Sequence, residues 1–417
     1  MTPLKQFERL SLSFKIPQTQ YQVTCICGGY GFPLGNASAA RITVVGKALQ
    51  RAGIGFRLLH CGPSPMAINS RKSGVYEGIP FEYTTSVRRP DNAVARFLVY
   101  VWALVGLTIR LIRLRPLRRH SLVYLYVGDG PLNLYTGCVC ALLGIPIVQE
   151  LCEWMPGEPT CSVFNRWLYR KTIFKMATGA LVISKAIEAL VKERRAKANP
   201  ELLIHRLPSI LDAERFAAAS PMKDGSAQST PYFLYCGTWL KDVLFVLRAF
   251  AFVKLKGYTC KLRIVGGWTE SSGSKILDDA REKGVSGDIV MTGCVDDRTL
   301  ETSYKTATAL LAPLWDDDRS KTRLPNKLGE YLASGRPVVA CKIGDLTDFL
   351  FDDVNACLAE PGNELDFAEK MITVLQNPHR AERIGEAGQQ ACIAYLDYRA
   401  HSTQLAKFFI DCIKHRR

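Results

Sequence analysis

The sequence predicts an α/β protein of two domains, each with a parallel β-sheet covered by helices. The chain has 417 residues, of which 47% are hydrophobic, and this is more than one folding core usually holds. Residues 310–341 read as a buried strand, a charged loop, a helix and a second buried strand, which is the order of a βαβ unit. Residues 22–52 read as a strand, a glycine-rich loop and a helix. A phosphate-binding type of pattern therefore occurs in both halves.

The helix within residues 310–341 has clear boundaries and a site at its start. Pro325 suits the first helical turn and Gly335 the position just past the end. A helix N-terminus that follows a strand offers free backbone N–H groups and a positive dipole end, which predicts a phosphate site. Glu330, farther along the helix, can accept two hydrogen bonds from a ribose diol. Four basic side chains surround the predicted site: Arg319, Lys321, Arg323 and Lys327.

The run from Leu324 to Ser334, followed by Gly-Arg-Pro-Val-Val, resembles the donor-binding motif of retaining GT-B glycosyltransferases of family 4. The resemblance implies two Rossmann-like domains facing across a cleft, with a C-terminal helix that crosses back to the first domain. It implies a nucleotide-sugar donor, UDP- or GDP-linked, on Glu330, Leu324, Pro325 and Asn326. The family's first glutamate is replaced by Thr322, which removes one contact to the donor sugar. The alternative is an ordinary amphipathic helix in an unrelated Rossmann-type domain.

The first strand of the second domain ends at Gly237, and the resemblance places the donor diphosphate beside it. Lys241 matches a lysine that holds the diphosphate in the family, whereas Thr238 replaces the family's arginine. An ammonium group there would offset the negative charge of the departing diphosphate. The alternative for Lys241 is a solvated surface lysine. The resemblance also places Val295 beside the nucleobase through backbone contacts, which leaves the identity of the base open.

The first domain contributes its own glycine-rich loop, with glycines at 28, 29, 31 and 35, after the first strand. Such a loop permits close approach of backbone to phosphate, although the glycines would also suit a plain turn. The resemblance implies that Gly35 lies near the donor phosphates and the acceptor. Arg41, on the following helix, is expected to be solvated.

Glu150 and Glu153 follow another predicted strand of the first domain. The carboxyl ends of strands are where open α/β sheets place their chemistry, so both glutamates are candidate catalytic residues that contact acceptor or sugar. The histidine that family members often carry near this point is absent. The alternative is that both carboxylates are simply solvated.

The net charge of +15 lies almost entirely in the first half, where residues 1–200 hold 26 lysines and arginines against 10 acidic residues. Residues 97–109 form an apolar run of only thirteen residues, which is shorter than a membrane span requires. Arginines flank this run from Arg89 to Arg119. A basic, aromatic-containing helix of this kind is expected to lie in the plane of an anionic membrane surface. The alternative is a core-packed helix whose arginines face water.

The remaining composition favours a cytoplasmic protein without a metal. Fourteen cysteines in a chain this long, mostly in apolar strand-like settings, suit free thiols in a reducing compartment. The histidines and cysteines lack the spacing of a zinc site, so neither a metal nor a cofactor is predicted beyond the donor. No recognisable nucleic-acid-binding module is present, and nucleic acid is not an expected partner.

The resemblance implies a hexosyltransferase of polysaccharide or glycolipid biosynthesis, and the charge and composition add the expectation that it is metal-independent and peripherally membrane-associated. Residues 1–205 would form the acceptor-side domain, 206–398 the donor-binding domain, and 399–417 the returning helix. The acceptor is expected to be lipid-linked or close to the membrane. The alternative, motivated by Thr238 and Thr322, is a catalytically weak partner subunit of the same fold.

Overall fold

The computed structural model describes residues 20–35, 37–117, 119–153, 162–172, 174–217, 230–322 and 324–415. The sequence also predicts a surface lead-in over residues 1–20 and a linker over residues 217–231, and most of both segments lies outside the described residues, as do Arg118 and Arg323. The described chain forms one sheet of eight strands and one of six. This is the arrangement of two α/β domains that the sequence predicts.

The first sheet has the strand order β3-β4-β2-β1-β5-β6-β7-β8, and all its neighbouring strands are parallel except β3 and β4. Central parallel strands have helices on both faces, which is why every residue of the fifth strand is buried. The strands are β1 (Gln22–Cys27), β2 (Gly55–His60), β3 (Ser73–Tyr76), β4 (Ile79–Tyr83), β5 (Ser121–Tyr126), β6 (Ile147–Leu151), β7 (Gly179–Val182) and β8 (Leu203–Arg206).

The antiparallel pair β3–β4 forms a hairpin. Its turn is Glu77-Gly78, and both residues have positive φ, 46° and 82°. A two-residue turn with both φ angles positive matches the twist of the strands that it joins, and glycine adopts that conformation without steric cost. The hairpin closes one edge of the first sheet.

Five helices cover the first sheet: α1 (Ala37–Arg51), α2 (Ala93–Ile112), α3 (Gly130–Leu143), α4 (Val163–Thr172) and α5 (Lys185–Ala198). Successive residues of β1 point to opposite faces, as in any strand. Val23 and Cys25 pack in a core that contains residues of α1, whereas Ile26 packs in a second core with residues of α2 and α3. The sheet is thus buried on both faces.

The second sheet is entirely parallel, with the order β11-β10-β9-β12-β13-β14. Its strands are β9 (Tyr232–Cys236), β10 (Lys261–Val265), β11 (Ile289–Gly293), β12 (Ala309–Ala312), β13 (Val338–Cys341) and β14 (Cys357–Ala359). The remaining helices are α6 (Ala213–Ala217), α7 (Leu240–Leu255), α8 (Glu270–Glu282), α9 (Asp297–Thr306), α10 (Asp318–Thr322), α11 (Asn326–Ala333), α12 (Glu364–Gln376), α13 (Pro378–Tyr395) and α14 (Tyr398–Lys414).

The helix α14 crosses back to the first domain, as the resemblance implied. Its residues Phe408, Phe409 and Cys412 belong to the same core as β1 and β5. Gly179 at the start of β7 permits this approach, because a Cβ atom at that position would lie 2.5 Å from the Cys412 sulfur and 2.9 Å from the Phe408 ring. The core of the first domain is therefore completed by residues more than two hundred positions away.

The two chain crossings between the domains are hydrogen-bonded to each other. The Leu211 amide donates to the Leu396 carbonyl at 2.9 Å, and the Tyr398 amide donates to the Leu211 carbonyl at 3.0 Å. Asp397 caps α14 and also accepts from the Ala213 amide at 3.0 Å. These bonds make the two connections one structural unit.

The helix α2 is longer than the apolar run that the sequence singled out. It has 20 residues, begins at an Asn92 cap, and is long and apolar enough to cross a membrane by length and composition alone. The length argument against a span is therefore wrong for the helix as folded. From Tyr100 onward the helix nevertheless packs on the first domain: Tyr100 donates to Asp129 at 3.4 Å, Thr108 bonds Tyr135 at 2.6 Å, and Arg110 pairs with Glu82.

Candidate active site

The carboxyl edges of the two sheets face each other. Ser184 follows β7 of the first domain, and its hydroxyl donates to the carbonyl of Thr322, after β12 of the second, at 2.6 Å. The Lys185 amide donates to both oxygens of Asp345, after β13, at 3.2 and 2.9 Å. Open α/β sheets bind ligands at the carboxyl ends of their strands. In this protein those ends of the two sheets lie on opposite sides of the space between the domains.

The helix α11 begins at this edge of the second sheet. Pro325 is its N-cap residue, and Gly335 has a φ of 73° just past its end, so both boundaries lie where the sequence predicts them. The Cys236 amide, at the end of β9, donates to the hydroxyl of Tyr331 at 2.8 Å. This bond fixes the helix beside the carboxyl end of the central strand β9.

Glu330 lies on α11 with one carboxylate oxygen bound and the other available. Its Oε2 accepts from the Tyr304 hydroxyl at 3.0 Å and from the Lys327 ammonium at 3.0 Å. Among the described residues, none bonds its Oε1, and the side chain is 23% exposed. The carboxylate is therefore oriented by two donors while Oε1 can still accept a hydrogen bond from a ligand.

The two donors to Glu330 keep their protons at neutral pH. Burial, and then the Glu330 carboxylate, raise the pKa of Tyr304 well above its usual value. Burial is the largest single effect and lowers the pKa of Lys327, but Glu330, Cys236 and Asp297 together raise it by more, and the net direction is upward. Neither residue was assigned to Glu330 from the sequence. The spacing of three residues on one helix could have indicated Lys327, whereas Tyr304 comes from the distant helix α9.

Two cations of the predicted diphosphate site lie on aromatic rings of facing loops. The Lys241 ammonium, at the start of α7, lies 3.9 Å from the ring centroid of Trp315 and 3.5 Å from Asp317. The Arg319 guanidinium, on α10, lies 3.6 Å from the ring centroid of Trp239. Each loop therefore supplies one cation and one aromatic ring. The sequence identified both cations but gave no role to the two tryptophans.

The other predicted donor-binding residues lie on the same edge of the second sheet, but their side chains differ in exposure and in the partners that they bind. Lys321 pairs with Asp316 at 2.7 Å and is exposed. Asn326 Oδ1 is bonded to the Ser209 hydroxyl of the interdomain crossing, so it serves the domain contact. Leu324 is only 4% exposed and its side chain lies in the core of the second domain, so its predicted contact with the donor would have to come from its backbone.

Gly237, Thr238 and Val295 line the exits of the strands. The Gly237 carbonyl passes so close to the next loop that a Cβ on Gly266 would lie 2.2 Å from it. Thr238 is exposed, whereas Val295 is half-buried against the core of the second domain. These residues therefore stand at the edge where the sequence places the diphosphate and the base.

On the first domain, Gly35 and Glu153 lie on the cleft side and Glu150 does not. Gly35 has a φ of 127°, and a Cβ there would lie 2.8 Å from Met66, so the loop needs glycine at this position. Glu153 is exposed and close enough to Tyr30 of the glycine-rich loop for its charge to raise the pKa of that tyrosine, an effect second to burial.

Glu150, a candidate catalytic residue from the sequence, is instead part of a buried ion pair. It is 5% exposed and lies 3.1 Å from the Arg41 guanidinium, which is 3% exposed. The Tyr124 hydroxyl also donates to it, and the Cys152 thiol donates at 2.8 Å. With its oxygens occupied inside the first domain, Glu150 cannot contact acceptor or sugar. That prediction is wrong.

Arg41 is not solvated, which corrects the second expectation for this region. Besides Glu150, it donates to the carbonyls of Leu207 at 3.0 Å and of Pro208, where the chain leaves the first domain. Burial is the largest single effect and lowers its pKa, but Glu150 together with Cys152, Tyr124 and Tyr126 raises the pKa by more, so the side chain is charged. Its spacing with Val44, Val45 and Ala48 on α1 was the signal that it faces the core.

Metal-ligand clusters are absent from the part of the chain that the structure describes: no group of three or more histidine, cysteine or acidic side chains is arranged to hold an ion. All cysteines in those ranges are free thiols.

Comparisons with known proteins agree with this architecture. Residues 230–377 match the family model described as Glycosyl transferases group 1. The α-D-kanosaminyltransferase of Streptomyces kanamyceticus is 22% identical over an alignment that covers 75% of this chain and 83% of the relative. The crystal structure of Anabaena Alr3699/HepE in complex with UDP has a TM-score of 0.69 at 13% identity, covering 93% of this chain and 99% of that chain.

A second solved structure, sucrose-phosphate synthase (tll1590) from Thermosynechococcus elongatus, also has a TM-score of 0.69, at 16% identity, and covers 94% of this chain and 99% of that chain. The fold is GT-B, as predicted. The match over the second domain and the relative from Streptomyces, together with this fold, support a glycosyltransferase enzyme.

Proposed function

We propose that the protein is a retaining glycosyltransferase of family 4 that transfers a hexosyl group from a UDP- or GDP-linked donor to a lipid-linked or membrane-proximal glycan acceptor. The observation that carries the proposal is the Glu330 carboxylate on α11, whose Oε2 is held by Tyr304 and Lys327 while Oε1 can still accept a hydrogen bond. A carboxylate oxygen in this position can accept hydrogen bonds from the hydroxyls of a ribose diol. The neighbour from Anabaena was solved with UDP, which supports a nucleotide donor.

The donor diphosphate would be held by the N-terminus of α11 together with Lys241 and Arg319. Backbone N–H groups at a helix N-terminus and two cations stabilise the negative charge that develops as the diphosphate departs. The proposal assigns this charge stabilisation to the protein and not to a metal ion. The departing phosphate would help to deprotonate the acceptor hydroxyl, and Glu153 and Gly35 would face the acceptor from the first domain.

The proposed membrane contact rests on the exposed face of α2. Eight large apolar side chains recur every three or four residues along it, each at least 39% exposed: Val94, Phe97, Leu98, Val101, Trp102, Val105, Ile109 and Ile112. Exposed arginines lie at both ends, including Arg89, Arg96 and Arg113. An exposed apolar stripe flanked by basic groups suits the headgroup region of an anionic bilayer. We propose a peripheral, cytoplasmic location on this basis.

The test is a panel of radiolabelled UDP- and GDP-sugars with membranes as the source of acceptor, run with and without EDTA. Transfer from one donor is expected, with EDTA leaving the rate unchanged. NMR of the first product would show the donor's anomeric configuration. A chain that neither binds nucleotide nor transfers sugar would instead be the partner subunit, the reading that Thr238 and Thr322 favour.

A further inference from the structure

The diphosphate site lacks the arginine that the resemblance implies at position 238. The next residue, Trp239, carries a different arginine on its ring, Arg319. Thr238 is exposed and uncharged. One residue later, Trp239 begins α7, and its ring is stacked by Arg319 from the facing loop after β12. The Arg319 guanidinium, 3.6 Å from the Trp239 ring centroid, is therefore held by a residue that lies two positions after Gly237 in the chain.

The stacking is reciprocal, because Lys241 of the first loop lies over Trp315 of the second. Trp315 is a fixed platform: its indole N–H donates to Asp242 at 3.0 Å, and its ring packs on Phe245 with centroids 5.2 Å apart. Asp242 is itself 7% exposed. The segment after β9 thus places a lysine on the indole of the segment after β12, and the segment after β12 places an arginine on the indole of the segment after β9.

Two cations close together repel each other when no anion is bound, and long side chains lose conformational freedom when a ligand fixes them. Stacking on an aromatic face compensates part of both costs, because the ring quadrupole attracts a cation and holds its side chain in one place. Asp317, 3.5 Å from Lys241, offsets further charge. The pair of stacks therefore keeps both cations in position before a diphosphate arrives.

We propose that Arg319, positioned by Trp239, takes the place of the arginine missing at position 238 and binds the donor diphosphate opposite Lys241. This inference rests on the proposed function and goes beyond it by assigning Trp239 and Trp315 as positioning residues. The planar guanidinium can bond two phosphate oxygens at once while its face remains on the indole. The exposed fraction of Trp239, 41%, leaves the stack open to a ligand.

The experiment measures the affinities of UDP, UMP, uridine and inorganic pyrophosphate by calorimetry, with the GDP series in parallel. The wild-type chain is expected to prefer the diphosphate over the monophosphate. Arg319→Ala should reduce that preference about tenfold or more, the size of a lost charge-assisted hydrogen bond. Trp239→Ala should reduce it about fivefold, whereas Trp239→Phe, which keeps an aromatic face, should retain most of it. Nucleoside affinity should not change.

The matched control is Arg263→Ala. Arg263 also stacks on an aromatic ring, with its guanidinium 4.4 Å from the Tyr232 ring centroid, but Tyr232 is at the amino end of β9. This variant should keep the full diphosphate preference. The double variant Thr238→Arg with Arg319→Ala should regain affinity for the diphosphate, because it returns the guanidinium to the family's position.

Thermal melting of each variant confirms that it is folded before binding is compared. If wild-type binds diphosphates and Arg319→Ala or Trp239→Ala keeps the same preference as Arg263→Ala, the assignment of Arg319 is overturned while the proposed function stands. If the wild-type chain binds neither nucleotide nor pyrophosphate, the proposed function and this inference both fall.

Discussion

At the scale of single residues, Glu330 is the position where the chemistry of the proposed donor can be tested directly. Glu330→Gln should weaken donor binding about tenfold to a hundredfold, because a hydrogen bond to a charged group is lost while the shape is kept. The loss should appear in KM for the donor. The wild-type chain should discriminate a ribonucleotide from its 2′-deoxy analogue, and Glu330→Gln should not.

The control for Glu330 is Glu386→Gln, an exposed glutamate on α13. It should leave KM and the discrimination against the deoxy analogue unchanged. Equal discrimination in wild-type and Glu330→Gln chains would mean that the carboxylate does not contact the ribose.

The buried pair of Arg41 and Glu150 should matter for stability. Glu150→Ala leaves a buried guanidinium without its carboxylate, and such a loss costs about 3–5 kcal/mol. Thermal and urea unfolding should show the loss. The double variant Arg41→Met with Glu150→Leu should recover much of it, because no unpaired charge remains. If the double variant were as unstable as Glu150→Ala, the ion pair would not be the cause.

The sequence places Glu330 on a helix at the edge of the second sheet, as the structure does, but it wrongly exposes Glu150. The difference arises because the position of Glu330 depends on local signals, whereas that of Glu150 depends on a contact between distant residues. Glu330 follows from local signals: a strand, a helix start and a helical spacing. Glu150 was expected at a strand exit, but its side chain points into the sheet's covered face, where Arg41 from α1 reaches it. A partner 109 residues away leaves no local pattern. The hydrogen bond from Tyr304 to Glu330 and the stacking of Lys241 and Arg319 on Trp315 and Trp239 likewise join residues that are distant in sequence, so no local pattern predicts them.

At the scale of elements, the long strands and helices were predictable and the short helix α10 was not. Pro325 and Gly335 mark the ends of α11 correctly because proline and glycine restrict the backbone itself. α10 has five residues within a charged loop. Its start depends on Asp317, which accepts from the Ser320 amide at 2.7 Å. So short a helix has no apolar periodicity to reveal it.

The helix α2 gives the prediction at this scale. Replacing Phe97 and Trp102 together by serine should reduce binding to vesicles of phosphatidylcholine and phosphatidylglycerol about tenfold or more, because both side chains leave the bilayer interface. Replacing Arg96 and Arg113 by glutamine should weaken binding about fivefold per charge at low salt and less at high salt. Co-sedimentation measures both.

A matched control for α2 is Leu255→Ser in the second domain, where leucine is 81% exposed. It should leave vesicle binding unchanged. If the pair of serines on α2 bound vesicles as well as the wild-type chain, α2 would not be the membrane contact.

At the scale of the whole molecule, the two domains depend on each other through α14. Phe409 packs against Tyr124 of β5, with ring centroids 5.7 Å apart, and is fully buried. Phe409→Ala should destabilise the protein by about 3–5 kcal/mol. Hydrogen exchange should show the loss of protection in β1 and β5 and not in β9 or β12. Phe351→Ala, at a 52% exposed phenylalanine, is the control. Equal exchange in both sheets would contradict this assignment.

The returning helix also determines when the protein can mature on the ribosome. Domains made early in synthesis often fold while the rest of the chain is still being translated. Here the amino-terminal core includes Leu405, Phe408, Phe409 and Cys412, so residues 20–206 must wait, incomplete, until residues 398–414 have emerged from the exit tunnel. The donor-binding half can reach its final packing sooner. A nascent chain whose residues up to 397 have left the exit tunnel while α14 is still inside it would thus carry a complete second half and an incomplete, chaperone-accessible first half.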